Sequence, residues 1–333
     1  MMRFYLGTYT RLGGPGIAIC CLDGDKMSIH SSVEMPDPTY IIHNQAGNRL
    51  FAASDPVIDN NNGAVASFSI TETGLEPLSY KQTVGSGPCH ICLSADERFL
   101  YCAHYYSGLI SVYPVNEDGY IGACIQLVEH HGHSVHPVRQ IAPHVHQLSF
   151  IPKTNLLCSV DLGIDALMIY EQDASTGRLT FSDRLNTPPG SGPRHILFGE
   201  NDFAFLVCEI DNRVLVLRRS YHAWHLLQSI STLPAEFQGN NTASAIRRQG
   251  NRIYVSNRGH NSIAVFEIGY NSLLTGVGIY PTGDDFPRDF DFIGNRMIIA
   301  HQKGCVILSK VSYDGIFPVS RLNISGAVCV LHQ

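Results

Sequence analysis

Apolar residues in this 333-residue chain fall in short runs of four to eight, rich in β-branched and aromatic side chains, with Gly, Asn and Asp between them. Residues 98–103, 156–160 and 252–256 form one set of such runs. A second set follows at 109–115, 166–171, 213–217, 262–268 and 305–311. Runs of this length between turn formers predict strands joined by tight turns. Helical periodicity of useful length is nowhere evident.

One segment type returns seven times: a small residue or proline, then a polar residue, then an apolar strand start. The copies are Pro38-Thr39-Tyr40-Ile41, Gly87-Pro88-Cys89-His90-Ile91, Pro143-His144-Val145-His146-Gln147-Leu148 and Gly192-Pro193-Arg194-His195-Ile196. The others are Thr242-Ala243-Ser244-Ala245-Ile246, Phe286-Pro287-Arg288-Asp289-Phe290 and Gly326-Ala327-Val328-Cys329-Val330. Three to four short strands per repeat of roughly 40–50 residues is the pattern of a β-propeller blade, whose small sheet buries its faces against its neighbours. The expected fold is therefore all-β, a single seven-bladed propeller domain over 1–333. The first strand lacks the repeat signature and the chain ends on the signature strand alone, so about 1–34 plus 324–333 are expected to share the last blade. That arrangement closes the ring and removes free sheet edges. An insertion at about 129–142, carrying His130, His131, His133 and His136, precedes an inner strand and is expected at the channel mouth, where loops on a rigid scaffold tend to bind.

Composition narrows the class of partner. The chain is 44% hydrophobic and 16% charged, with a net charge of -6 and no Lys/Arg block, so nucleic acid is not an expected partner. No apolar run approaches the roughly 20 residues of a membrane span. The N-terminus turns polar by Gly7 and reads as a strand rather than a signal peptide. Ten cysteines lie mostly in strand-like segments, which suits buried thiols in a cytoplasmic protein. On that reading the sequons at Asn240 and Asn323 carry no weight.

Inner strands converge on the channel, so the polar residue opening each repeat is expected to face one funnel. Those positions offer His90, His144 or His146, Arg194 with His195, Ser244, and Arg288 with Asp289, while Glu209 and Arg258 come from second strands. His144 and His146 lie two apart, a spacing that puts both side chains on one face of a strand. Several arginines and histidines around a carboxylate describe an anion pocket, because the planar guanidinium binds carboxylate or phosphate bidentately. The plainer alternatives are arginines that tie blades through buried carboxylates and a histidine bonded to backbone at a blade junction.

Other chemistries find less support. The His130–His136 cluster invites zinc, copper or nickel, yet it lacks His-Glu-x-x-His spacing, and a solvated loop is expected instead. Asp59-Asn60-Asn61-Asn62-Gly63 reads as a turn rather than a calcium cage. Gly85-Ser86-Gly87 has no following helix and reads as a linking turn, and no Gly-x-Ser-x-Gly elbow exists.

The ordered set Pro143-His144-Val145-His146-Gln147, Gly192-Pro193-Arg194-His195, Cys208-Glu209, Ser256-Asn257-Arg258-Gly259-His260-Asn261-Ser262-Ile263 and Pro287-Arg288-Asp289-Phe290 resembles the seven-bladed propeller lactonase family. That family includes propeller-type 6-phosphogluconolactonases and, more distantly, fungal carboxymuconate cyclases. The resemblance covers essentially the whole chain. In the cyclase branch a histidine, two arginines and a glutamate in matching segments have been proposed as the active site, which implies His144 or His146, Arg194, Glu209 and Arg258 here. His90, His195, Arg288 and Asp161 are expected to bind substrate. The fifth repeat departs from the commonest pattern: Ser244 stands in Thr242-Ala243-Ser244-Ala245-Ile246 where many relatives have Ala-Glu-Ile, leaving Glu209 and Asp161 as inner carboxylates. The implied activity is hydrolysis of a sugar lactone, 6-phospho-D-glucono-1,5-lactone above others, without metal or cofactor and with Glu209 or His146 as general base. The alternatives are a cycloisomerase or a lactonase for a non-phosphorylated carboxylate substrate, and a non-catalytic propeller that binds a ligand or protein.

Overall fold

The computed structural model describes residues 2–56, 63–220 and 223–332, so most of the turn expected at 59–63 lies outside the described residues. Within them the chain forms 28 strands, β1 to β28 in chain order, and one short 3-10 turn at Thr10–Leu12. The strands make seven four-stranded antiparallel sheets. No helix among the described residues is long and apolar enough to cross a membrane.

Six sheets take four consecutive strands each, and the innermost strands are β4 (Pro38–His43), β8 (Pro88–Leu93), β12 (Val145–Phe150), β16 (Pro193–Phe198), β20 (Thr242–Gln249) and β24 (Pro287–Ile293). The seventh blade has the order β28-β1-β2-β3, from β28 (Ala327–His332), β1 (Met2–Thr8), β2 (Ile17–Asp23) and β3 (Lys26–Val33). Phe4 pairs with His332 and Leu6 with Val330. The ring is thus closed by hydrogen bonds between the two ends of the chain, as the repeat count implied.

The core lies between blades, which explains why second strands are buried along nearly their whole length and apolar over most of it. In β17 (Phe203–Cys208), Phe203, Phe205 and Val207 pack toward Ile246 and Val255 of the fifth blade. Ala204, Leu206 and Cys208 pack the other way, toward Cys158 and Val160 of the third. A strand buried on both faces reads as a continuous apolar run rather than an alternating one.

Every inner strand also breaks register against its neighbour near its start. The pairing skips Thr39, Cys89, His146, Arg194, Ser244 with Ala245, and Arg288 in the first six blades. It skips Val328 in the seventh. A β-bulge of this kind leaves the skipped residue out of the ladder and re-aims its side chain. The repeat signature read from the sequence is this bulge, and it faces the channel.

Candidate functional site

Two positions per blade build the site. One is the bulge residue of the inner strand. The other is the residue of the second strand just beyond the last pair before the bulge: Asp55, Tyr105, Leu162, Glu209, Arg258, Gln302 and Tyr9 around the ring. Of these seven, all but Leu162 line one cavity of about 350 Å³, together with the bulge residues Thr39, Cys89, His146 and Arg288. In the third blade, where Leu162 is fully buried, the insertion between β11 (Gln126–Glu129) and β12 packs over it and delivers Arg139 to the cavity instead. Gln140 Nε2 donates to the Leu162 carbonyl at 2.9 Å and anchors that loop.

Glu209 is the electrostatic centre. Its Oε1 accepts from Arg139 Nη2 at 2.5 Å, and its Oε2 accepts from Arg194 Nε at 2.9 Å and contacts Arg258 Nη2 at 2.6 Å. Burial alone would raise its pKa, but the guanidinium groups of Arg258, Arg194 and Arg139 outweigh it and hold the carboxyl well below the usual carboxylate range. Burial and nearby Arg258 pull Arg194 down to about 9, which leaves it charged at neutral pH. The arginines therefore tie the third, fourth and fifth blades together, and two of them, Arg139 and Arg258, also line the pocket, whereas Arg194 holds Glu209 without lining it.

Arg288 differs from these three. It forms no ion pair among the described residues; its Nη1 donates to Gln302 Oε1 at 3.0 Å and its guanidinium lies 5.6 Å from the Tyr9 ring centre. His146 stands across the cavity, buried, with no hydrogen-bond partner for Nδ1 among the described residues. Burial and then Arg194 push its imidazole well below the ordinary histidine range, so it is neutral. Its ring meets His195 edge-on at 5.3 Å and Tyr105 at 5.6 Å.

The remaining sequence candidates lie off the cavity wall. His144 precedes β12, stacks on Tyr105 with centroids 4.3 Å apart and donates through Nδ1 to the Tyr105 carbonyl at 2.7 Å. The same-face rule fails for the pair because the bulge at His146 intervenes. Asp161 accepts from the His144 backbone N–H at 2.8 Å and the Gly163 N–H at 2.9 Å, and its other oxygen lies 2.7 Å from His130 Nδ1. It fastens the insertion to its blade and does not reach the cavity wall. His195 and His90 sit deeper in the channel, their rings 5.8 Å apart, and burial lowers His90 to about 3. Asp289 pairs with Arg247 at 2.8 Å, and Ser244 donates to the Arg288 carbonyl at 2.6 Å.

The insertion corrects one expectation. His131 and His133 are exposed, but His130 is buried between Asp161 and Tyr170, whose hydroxyl is 3.0 Å from its Nε2. The residue of this loop that lines the cavity is Arg139, which sequence reading missed. Tyr9, Asp55, Tyr105 and Gln302 were missed too, although they occupy the repeat position of Glu209 and Arg258. Among the described residues no group of three His, Cys, Asp or Glu side chains is arranged to hold a metal. Cys89 lines the cavity as a thiol that burial pushes up to about 12.

The chemistry available is that of a polar, cationic cup: four guanidinium groups against Glu209 and Asp55, with neutral imidazole and phenol groups between them. A family model described as lactonase, 7-bladed β-propeller, matches residues 3–309. A 6-phosphogluconolactonase of Bacillus subtilis (strain 168) is 35% identical over 299 residues, covering 86% of this chain and 84% of that protein. The solved periplasmic gluconolactonase of Pseudomonas aeruginosa superposes with a TM-score of 0.93 at 26% identity, over 99% of this chain and 98% of that one. A protein from Lactobacillus plantarum superposes with a TM-score of 0.92, also at 26% identity, over 100% and 99%.

Proposed function

The chain belongs to the seven-bladed β-propeller lactonase family and is a lactone hydrolase, and we propose that its substrate is 6-phospho-D-glucono-1,5-lactone, opened to 6-phosphogluconate. The observation that carries the choice of a phosphorylated substrate is Arg288, a half-buried cavity guanidinium with no carboxylate partner among the described residues. A half-buried cation gains from a ligand that brings its own negative charge, and guanidinium matches phosphate geometry. The cavity volume of about 350 Å³ lies at the small end of the range for small-molecule sites, as a single sugar phosphate requires.

In this reading the phosphate sits against Arg288. The lactone carbonyl points toward Arg258 and His146, which stabilise the negative charge that develops on its oxygen when water adds. Glu209 fixes the directions of Arg139, Arg194 and Arg258. Both its oxygens are engaged and it is held ionised, so it is a weak proton acceptor. A polar cup lined by these residues also favours an enzyme over a docking platform, whose channel would present an apolar rim.

The test compares kcat/KM for phosphorylated and plain gluconolactone, corrected for spontaneous hydrolysis. Arg288→Ala is expected to lose about 10- to 100-fold on the phosphorylated lactone, the worth of one charge-assisted hydrogen bond, and to change the plain lactone less than threefold. Equal losses on both, or a wild-type protein with no preference for the phosphorylated lactone, would overturn the assignment.

A further inference from the structure

Lactone hydrolysis needs a group to take a proton from the attacking water, and neither sequence candidate suits it: Glu209 is saturated by three guanidinium groups and His146 is strongly biased to the neutral form. The repeat geometry identifies another. Asp55 occupies in the first blade the position that Glu209 occupies in the fourth, one residue past the last pair before the bulge, Pro38 with Ser54 and Pro193 with Cys208 respectively. It lines the same cavity.

The two carboxylates are held in opposite ways. Glu209 receives three side-chain cations. The Asp55 backbone is fixed, its N–H donating to the Asp37 carbonyl at 3.1 Å and its carbonyl accepting from Arg11 Nη1 at 3.1 Å. Its carboxylate accepts from the Gly87 backbone N–H and forms no ion pair among the described residues. Arg11, the nearest cation, spends its guanidinium on Asp37 at 2.8 Å and on that backbone carbonyl. Asp55 therefore lines the cavity without an ion-pair partner among the described residues.

We propose that Asp55 is the general base of the lactonase reaction, an inference that rests on the functional reading above. The Asp55 carboxylate takes one proton from water as the water oxygen bonds to the lactone carbonyl carbon. The carbonyl electron pair moves to its oxygen, facing Arg258 and His146. Collapse of this intermediate breaks the bond to the ring oxygen, which takes the proton back from Asp55 and becomes the free hydroxyl. The new carboxylic acid then ionises to solvent, so one lactone and one water give one hydroxy-carboxylate and one proton. Burial raises the pKa of Asp55, opposed by Arg11, the Gly87 N–H and Arg288 and reinforced by Asp37; Tyr106 and Cys89 face it as neutral groups. A carboxylate with a raised pKa is a stronger base than an ordinary one. Sign follows directly: the ionised form is active, so the rate falls as pH drops through the raised value.

The experiment measures kcat, KM and the pH dependence of kcat/KM for wild type, Asp55→Asn and Asp55→Glu. Asp55→Asn keeps an acceptor for the Gly87 N–H and is expected to lower kcat about 10²–10⁴-fold, the usual worth of a general base, with KM changed less than threefold. The acidic limb of the profile should vanish with it, and Asp55→Glu should restore both a limb and part of kcat. An active wild type whose Asp55→Asn variant keeps its kcat, or keeps its acidic limb, overturns the role of Asp55 while leaving the lactonase reading intact. A wild type that hydrolyses neither lactone overturns both. Thermal unfolding of each variant, expected within a few degrees of wild type, separates loss of chemistry from loss of fold.

Discussion

Glu209 concentrates the electrostatics of the site in one buried carboxylate. Replacing it with Gln keeps the shape and removes the charge that three guanidinium groups share. Breaking a buried ion pair from one side typically costs about 3–5 kcal/mol, because the partner charges remain desolvated. Glu209→Gln should therefore unfold at clearly lower denaturant concentration than wild type. The pH dependence has a definite sign. The folded-state pKa of Glu209 is depressed, so its contribution is fully present above the ordinary carboxylate value and is lost as pH falls through the depressed one. The gap in stability between wild type and Glu209→Gln should narrow as the pH is lowered below about 4.5; a constant gap would mean that the carboxylate charge is not what stabilises the cluster. The residue types were legible in the sequence here, since arginines and an acid at repeat positions foretold an anion pocket. Their division of labour was not, because it depends on which oxygen each guanidinium reaches across blades.

Among the elements, the inner strand with its bulge was the most legible, since seven copies of one signature mark it. What escaped was its consequence. Alternation predicts that His144 and His146 point together, whereas the bulge takes His146 out of the ladder and leaves His144 under Tyr105. Arg139 escaped for a different reason. It sits in an irregular loop 70 residues from its partner Glu209, and no periodicity marks it. Its position depends on close backbone packing at Gly163, where a Cβ would come within 1.9 Å of the Ala142 carbonyl oxygen and 2.8 Å of the His144 nitrogen. Gly163→Ala must push the insertion away from β13 (Leu156–Asp161). Steric overpacking of this kind costs about 1–3 kcal/mol. The expected result is a lowered melting temperature together with reduced kcat, since Arg139 loses its registration on Glu209. Melting and turnover both unchanged in Gly163→Ala would show that the loop does not depend on this contact.

For the whole molecule, the site depends on the ring being closed, because its lining comes from all seven blades and the insertion that carries Arg139. Closure rests on β28, which pairs with β1 from Phe4 through Thr8 and is buried from Ala327 to Val330. Its side chains serve two blade interfaces. Ala327 and Val330 pack with Ile298, Val306 and Leu308 of the sixth blade, and Cys329 with Ile41 and Leu50 of the first. Asp289 accepts from the Val330 N–H at 3.0 Å while pairing with Arg247, so the strand also holds a buried ion pair in the channel. Exposing Val328 and Val330 alone would cost about 3 kcal/mol, a large part of the roughly 5–15 kcal/mol by which a typical domain is stable. Ending the chain before Ala327 would also bare one edge of β1 and of its neighbours, and an unpaired edge recruits other chains. The truncated protein is expected to aggregate or to lose a single cooperative unfolding transition, with turnover lost in parallel. A synthetic peptide of residues 327–333 added in excess should restore part of the transition if closure by this strand is the missing element. A truncated protein that stays monomeric, melts cooperatively near the wild-type temperature and still turns over lactone would show that six blades and an open edge suffice to hold the cup.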